Sequence, residues 1–120
     1  MSYWFNAKNE GKFITSSYYM NELPEWVKRF NERKNIQKYI SNWDTYYNIE
    51  LYVESGPDLN KHEIKYLGKN NSTFPYDLEK ISKTKSGEID YDVIKYSPFG
   101  NDIVKDFTLN AIEYENLGKD

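Results

Sequence analysis

Ser97-Pro-Phe-Gly-Asn-Asp-Ile-Val-Lys-Asp-Phe-Thr-Leu-Asn-Ala-Ile-Glu-Tyr-Glu-Asn-Leu-Gly-Lys-Asp120 is the stretch whose reading decides the fold. Pro98 and Gly100 mark a turn, and Asn101 or Asp102 supplies a helix cap. Ile103, Val104, Phe107, Ala111 and Ile112 recur on one helical face. Gly118 suits the left-handed residue beyond the helix, with Leu117 beside it. A finished helix exit delivers the backbone to a further element, so the pattern predicts a piece of a larger protein.

Composition agrees with that expectation. The 120 residues include 12 tyrosines, only 38% are hydrophobic, and mean hydropathy is −0.90. Few aliphatic side chains remain for a separate core. Tyrosine and tryptophan faces pack well, but each polar tip needs a partner. Length limits the chain to one domain, residues 1–120, read as a single partial domain. Net charge is −3 and the isoelectric point about 5.2, which leaves no electrostatic footprint for nucleic acid. Cysteine is absent, which excludes disulfides and thiolate metal sites. No apolar run has transmembrane length. The start, Met1-Ser-Tyr-Trp-Phe-Asn6, lacks the charge and apolar pattern of a signal peptide.

Outward from the closing stretch, residues 2–19 predict a hairpin, with Tyr3–Phe5 and Lys12–Tyr19 as strands. A helix is predicted over Asn21–Arg33, with Pro24 in its first turn and Leu23, Trp26, Val27 and Phe30 on its apolar side. Asn35–Ser41 predicts a second short helix carrying Ile36, Tyr39 and Ile40. Trp43–Val53 is aromatic, as strand or irregular segment. Between Glu54 and Asp90 regular pattern fades into surface loops, with a proline-fixed extended step at Phe74-Pro75. Asp90–Tyr96 reads as a strand leading to the last helix. The architecture expected is an α+β partial piece: hairpin, short helices, long loops and a C-terminal helix.

No complete catalytic site is legible. His62 has no second histidine at ligand spacing and reads as exposed. Asp90 and Asp92, two apart on a strand, could bind a divalent ion, but a charged strand edge is the stronger reading. Asp102 and Asp106 read as the charged first turn of a helix. Thr15, Ser16 and Ser17 lack a neighbouring base to activate them. Lys28, Arg29, Arg33 and Lys34 form a basic cluster, read as a solvated face with phosphate binding as the sharper alternative. Asn70 and Asn71 each begin an Asn-x-Ser/Thr sequon. No residue is assigned a catalytic, cofactor-binding or metal-ligating role.

Three stretches together carry a resemblance. Gly11–Asn31, Trp43–Tyr52 with Phe74–Leu78, and Ser97–Asp120 resemble, in that order, a region of the bacterial alkaline phosphatases of the phosphate-irrepressible type. These belong to the type I phosphodiesterase and nucleotide pyrophosphatase branch of the alkaline phosphatase superfamily. The resemblance implies a large α/β parent enzyme, periplasmic or secreted, with two zinc ions and a threonine nucleophile. It implies a phosphate monoester substrate, and contact with the rest of the phosphatase domain rather than with nucleic acid or membrane. It places the nucleophile and the phosphate-contacting lysine and arginine before the matched region, and further zinc ligands after Asp120. Thr15 and His62 match none of them. The expectation is therefore a fragment without activity of its own. The alternative is a stand-alone, non-catalytic, aromatic-rich module that binds a glycan or a protein.

Overall fold

The computed structural model describes residues 2–8, 10–68 and 72–119. Strands β1 (Trp4–Asn6) and β2 (Lys12–Ile14) pair antiparallel, Phe5 opposite Phe13. Helices α1 (Glu25–Phe30) and α2 (Arg33–Gln37) follow. A second antiparallel pair joins β3 (Asn42–Trp43) to β4 (Tyr76–Asp77), which runs directly into α3 (Leu78–Ile81). Two 3-10 turns, Ile49–Leu51 and Tyr66–Gly68, lie between these strands. Helix α4 (Asp92–Lys95) and the long α5 (Phe99–Tyr114) close the chain. The fold is α+β.

α5 organises the core, though not with the face its sequence suggests. Phe107 stacks on Phe13 at 3.8 Å and meets Tyr3, Trp26 and Phe30 at 5.0–5.5 Å between ring centres. Ile103 is buried with it. Val104 and Ile112 are instead 54% and 46% exposed, because α1, β2 and α4 line only a narrow stripe of α5. Both helix ends differ from expectation. Pro98 already has helical angles, so the helix starts at Phe99 and neither Asn101 nor Asp102 acts as a side-chain cap. Gly100 lies inside the first turn, where a Cβ would stand 2.9 Å from the Ile94 carbonyl oxygen; the residue permits α4 and α5 to touch. At the exit the left-handed residue is Asn116 (φ +52°), and the Leu117 N–H returns to the Ile112 carbonyl at 3.1 Å, the bond of a Schellman cap. Gly118 (φ +76°) adds a second left-handed step.

Other expectations are corrected by the same comparison of local against tertiary forces. The predicted strand Lys12–Tyr19 ends at Ile14, and Ser16 turns the chain by accepting the Tyr19 N–H on its carbonyl. The predicted helix Asn21–Arg33 shortens to α1, because Pro24 precedes its first turn and the chain breaks around Asn31. α2 begins at Arg33 rather than Asn35 and yields to turns before Ser41. Asp90–Tyr96 is not a strand: Asp90 caps a turn through its Oδ1, which accepts the Asp92 N–H at 2.9 Å, and α4 follows. Between Glu54 and Asp90, β4, α3 and the Lys83–Ile89 bridge supply order that periodicity did not reveal.

The molecule is thin for its length. Its radius of gyration is 17.6 Å and its extents 50 × 40 × 23 Å; a compact 120-residue domain has a radius near ~14 Å. It exposes 8946 Å², against roughly 6,800 Å² for a compact monomer of this mass. Among the described residues, more large hydrophobic side chains are exposed than buried.

Candidate functional site

Two surface clefts and several polar clusters could carry chemistry. The first cleft, of about 730 Å³, runs between the hairpin turn and α1. Its charges are mixed: Lys8, Lys12, Lys28 and Arg33 face Glu10, Glu32 and Glu88. Lys12 pairs with Glu10, Lys28 with Glu25 at 2.8 Å and Glu22 at 3.7 Å, and Lys34 with Glu32 at 3.2 Å. The Lys12 hydrogen bond and charge, with Arg33 adding to them, hold the Glu10 carboxyl below its usual range. Arg29 leaves the cleft altogether and lies over the Tyr114 ring at 5.6 Å. The basic cluster read from sequence is thus divided among acidic neighbours and an aromatic ring, which favours the solvated-face reading over a phosphate site.

The candidate catalytic groups are dispersed. His62 is exposed in a turn whose backbone N–H bonds Asn60 Oδ1 at 3.0 Å. The Thr15 hydroxyl donates to the Ser2 carbonyl at 2.7 Å, and Ser16 Oγ accepts the Tyr18 N–H at 3.2 Å. These hydroxyls brace the chain after the hairpin. Asp92 is ion-paired with Lys95 one helical turn on. Asp102 pairs with Lys105 at 3.3 Å. Asp106 accepts the Tyr39 hydroxyl at 2.6 Å, and this bond with the nearby Lys38 and Lys105 lowers its carboxyl below the ordinary aspartate value. Asn70 and Asn71, which begin the sequons, lie outside the described residues.

Sequence reading missed the contacts that tie α5 to the rest. Trp26 Nε1 donates to Glu115 Oε1 at 2.8 Å across 89 residues. Tyr39 reaches Asp106 across 67 residues. Asn31, buried after α1, accepts the Phe13 N–H at 2.7 Å and donates to the Phe13 carbonyl at 2.8 Å. Only Asn31 left a local trace, as a polar residue between two apolar helical patterns.

The second cleft, of about 810 Å³, opens beside an aromatic cluster. Trp43 meets Tyr66, Phe74 and Tyr76 at 5.2–5.5 Å. Tyr76 is buried and its hydroxyl donates to the Ser72 carbonyl at 2.6 Å. Burial, then the charges of Asp58 and Glu63, push the Tyr76 hydroxyl up from its usual value. Burial and neighbouring Tyr76 push Tyr66 to about 12. The cluster fastens β3 and β4 to the loops between them.

Among the described residues, neither cleft presents a ligand set that fits a zinc centre. Among the described residues there is no group of three or more His, Cys, Asp or Glu side chains placed to hold a metal ion.

No protein-family model matches the chain. The crystal structure of the wild-type alkaline phosphatase PafA superposes with a TM-score of 0.78 at 38% identity, covering 98% of this chain and 22% of that one. The chain resembles a segment of an alkaline phosphatase. PafA of Elizabethkingia meningoseptica is 37% identical over 121 residues, covering 99% of this chain and 21% of that protein. Alkaline phosphatase PhoV of Synechococcus elongatus is 34% identical, covering 98% of this chain and 20% of its own length. A Myroides odoratus protein described as a calcium-transporting ATPase is 44% identical, covering 98% of this chain and 21% of that protein. The chain therefore spans about a fifth of the length of the curated relatives it matches. Among the described residues no helix is long and apolar enough to cross a membrane.

Proposed function

We propose that this chain is part of a zinc-dependent alkaline phosphatase of the type I phosphodiesterase and nucleotide pyrophosphatase branch. On this reading the parent hydrolyses phosphate monoesters in the periplasm or outside the cell. The observation that carries it is the match to PafA in both structure and sequence along 98% of the chain. Two of the three relatives bear alkaline phosphatase names, which favours this reading over transport. The segment serves as an outer layer against the rest of the phosphatase domain. Its accessible area in excess of a compact monomer and its exposed Val104, Leu109 and Ile112 on α5 support that role.

The 120 residues alone do not catalyse hydrolysis on this reading, since their described side chains hold no cluster able to ligate a metal. The test is an aryl phosphate assay on the purified chain with added zinc. The expected rate equals the zinc-only blank. A rate above that blank, abolished by a chelator and retained through a second purification step, would overturn the claim.

The exposed Tyr18, Tyr46 and Tyr47 favour the second reading, a module that binds a glycan or protein partner. Hydrogen exchange separates the two. Protection of α5 near the global unfolding limit in a monomer supports the module, and rapid exchange supports the outer layer.

A further inference from the structure

The second cleft shares Tyr46 with the binding-module reading, but its pairing of aromatic walls with carboxylates is used by neither reading above. Its aromatic walls are Trp43, Tyr46, Tyr52, Phe74 and Phe99. Its charged lining residues are Asp44, Asp58 and Glu63, and among the described residues no lysine, arginine or histidine lines it. Nor does any of these three carboxylates pair with a lysine or arginine among the described residues.

The cleft is built from several parts of the chain. Trp43 comes from β3 and is set edge-on to Phe74 at 5.4 Å. Phe99 opens α5. Asp58 is fixed in place: its Oδ2 accepts the Phe74 N–H at 3.0 Å. Asp44 Oδ1 accepts the Thr45 N–H at 2.8 Å. Tyr52 is held by its Oη, which accepts the Tyr47 N–H at 3.1 Å. Tyr76 lies close enough to feel the carboxylates: burial first, and then the charges of Asp58 and Glu63, raise its hydroxyl above the usual value.

We propose that this cleft binds an organic cation, an alkylammonium or quaternary ammonium group seated on Trp43 and its neighbouring rings and neutralised by Asp58, Asp44 and Glu63. Aromatic faces carry negative potential and attract such cations, tryptophan most strongly. The carboxylates act in the same direction, so the two sources of attraction add. A phosphate or other anion meets repulsion from both. A neutral sugar could stack on the rings, but it would leave the carboxylates without a counter-charge. The volume of about 810 Å³ lies within the range of small-molecule sites and leaves room for substituents on the ammonium group. The proposal stands apart from the phosphatase reading, because none of its residues is assigned to hydrolysis.

The test uses choline and its uncharged isostere 3,3-dimethylbutan-1-ol on the 120-residue chain. The readout is the Trp43 indole N–H signal in nitrogen-proton correlation spectra, identified by its loss in Trp43→Phe. Choline is expected to shift it saturably, and the isostere to bind about tenfold more weakly, the ratio that loss of one good cation–π contact produces. Asp58→Asn and the exposed Asp44→Asn should each weaken choline by roughly threefold, and added salt should weaken it further. The Asp44 change leaves the Trp43 ring contacts untouched, so it remains informative if the Asp58 change disturbs the loop. Equal affinity for the neutral isostere overturns the proposal. So does preference for a neutral hexose, or a choline-insensitive Trp43 signal. A Trp43 signal at the random-coil position also overturns it, because the cleft would then not exist in the chain.

Discussion

Replacing Phe107 by alanine is the most direct test of the core. The ring is 6% exposed, and Tyr3, Phe13, Trp26 and Phe30 all converge on it. Deleting a buried phenylalanine costs about 3–5 kcal/mol in transfer and cavity terms. Individual aromatic pairs are worth about 0.5–1.5 kcal/mol beyond area, and four are lost together. Collapse around the gap is limited, because Phe13 is held by both Asn31 bonds and Trp26 by Glu115. The expected loss is therefore no less than the middle of that range, about 4 kcal/mol. Urea unfolding followed by tryptophan emission reports it, since Trp26 lies 5.0 Å from the deleted ring. With a urea slope of about 2 kcal/mol per molar, the midpoint falls by about 2 M. A chain less stable than that loss would be unfolded without urea. A loss under ~1 kcal/mol, with unchanged slope, would refute the assignment of Phe107 as the centre of the core.

Further outcomes follow from the polar ties. Asn31→Leu strands two buried backbone groups of Phe13 and should cost about 2–4 kcal/mol, read by the same unfolding curve. Tyr39→Phe removes the hydroxyl that bonds Asp106, with an expected cost of about 1–2 kcal/mol near neutrality. Asp106 has a folded-state pKa below its ordinary value, so its contribution is present above the unfolded aspartate pKa and lost as pH falls through the folded one. The wild-type advantage over Tyr39→Phe should accordingly shrink in acid, as chemical unfolding at graded pH would show. At the other extreme Tyr66 is raised from 10.0 to about 12. Its contribution is complete below pH 10.0 and lost as pH rises to about 12, so Tyr66→Phe should resist alkaline unfolding better than wild type.

Local pattern in the sequence determined the kinds of element and much of their order. The apolar spacing of Leu23, Trp26, Val27 and Phe30 is enough to form α1, because helical periodicity is written within a few residues. The spacing from Ile103 to Ala111 likewise required α5. The three resembling stretches, taken in order, pointed to the alkaline phosphatase that the structural comparison matches. Tertiary structure decided the rest. Which side of α5 is buried depends on where β2, α1 and α4 lie, so Phe107 is central while Val104 and Ile112 remain exposed. Asp90 and Asp92 form a turn and helix start instead of a strand edge, because Asp90 bonds the Asp92 backbone locally. The cleft of Trp43, Phe74 and Phe99 draws on residues far apart in the chain. No window of sequence contains it, since proximity across such separations is created only by folding.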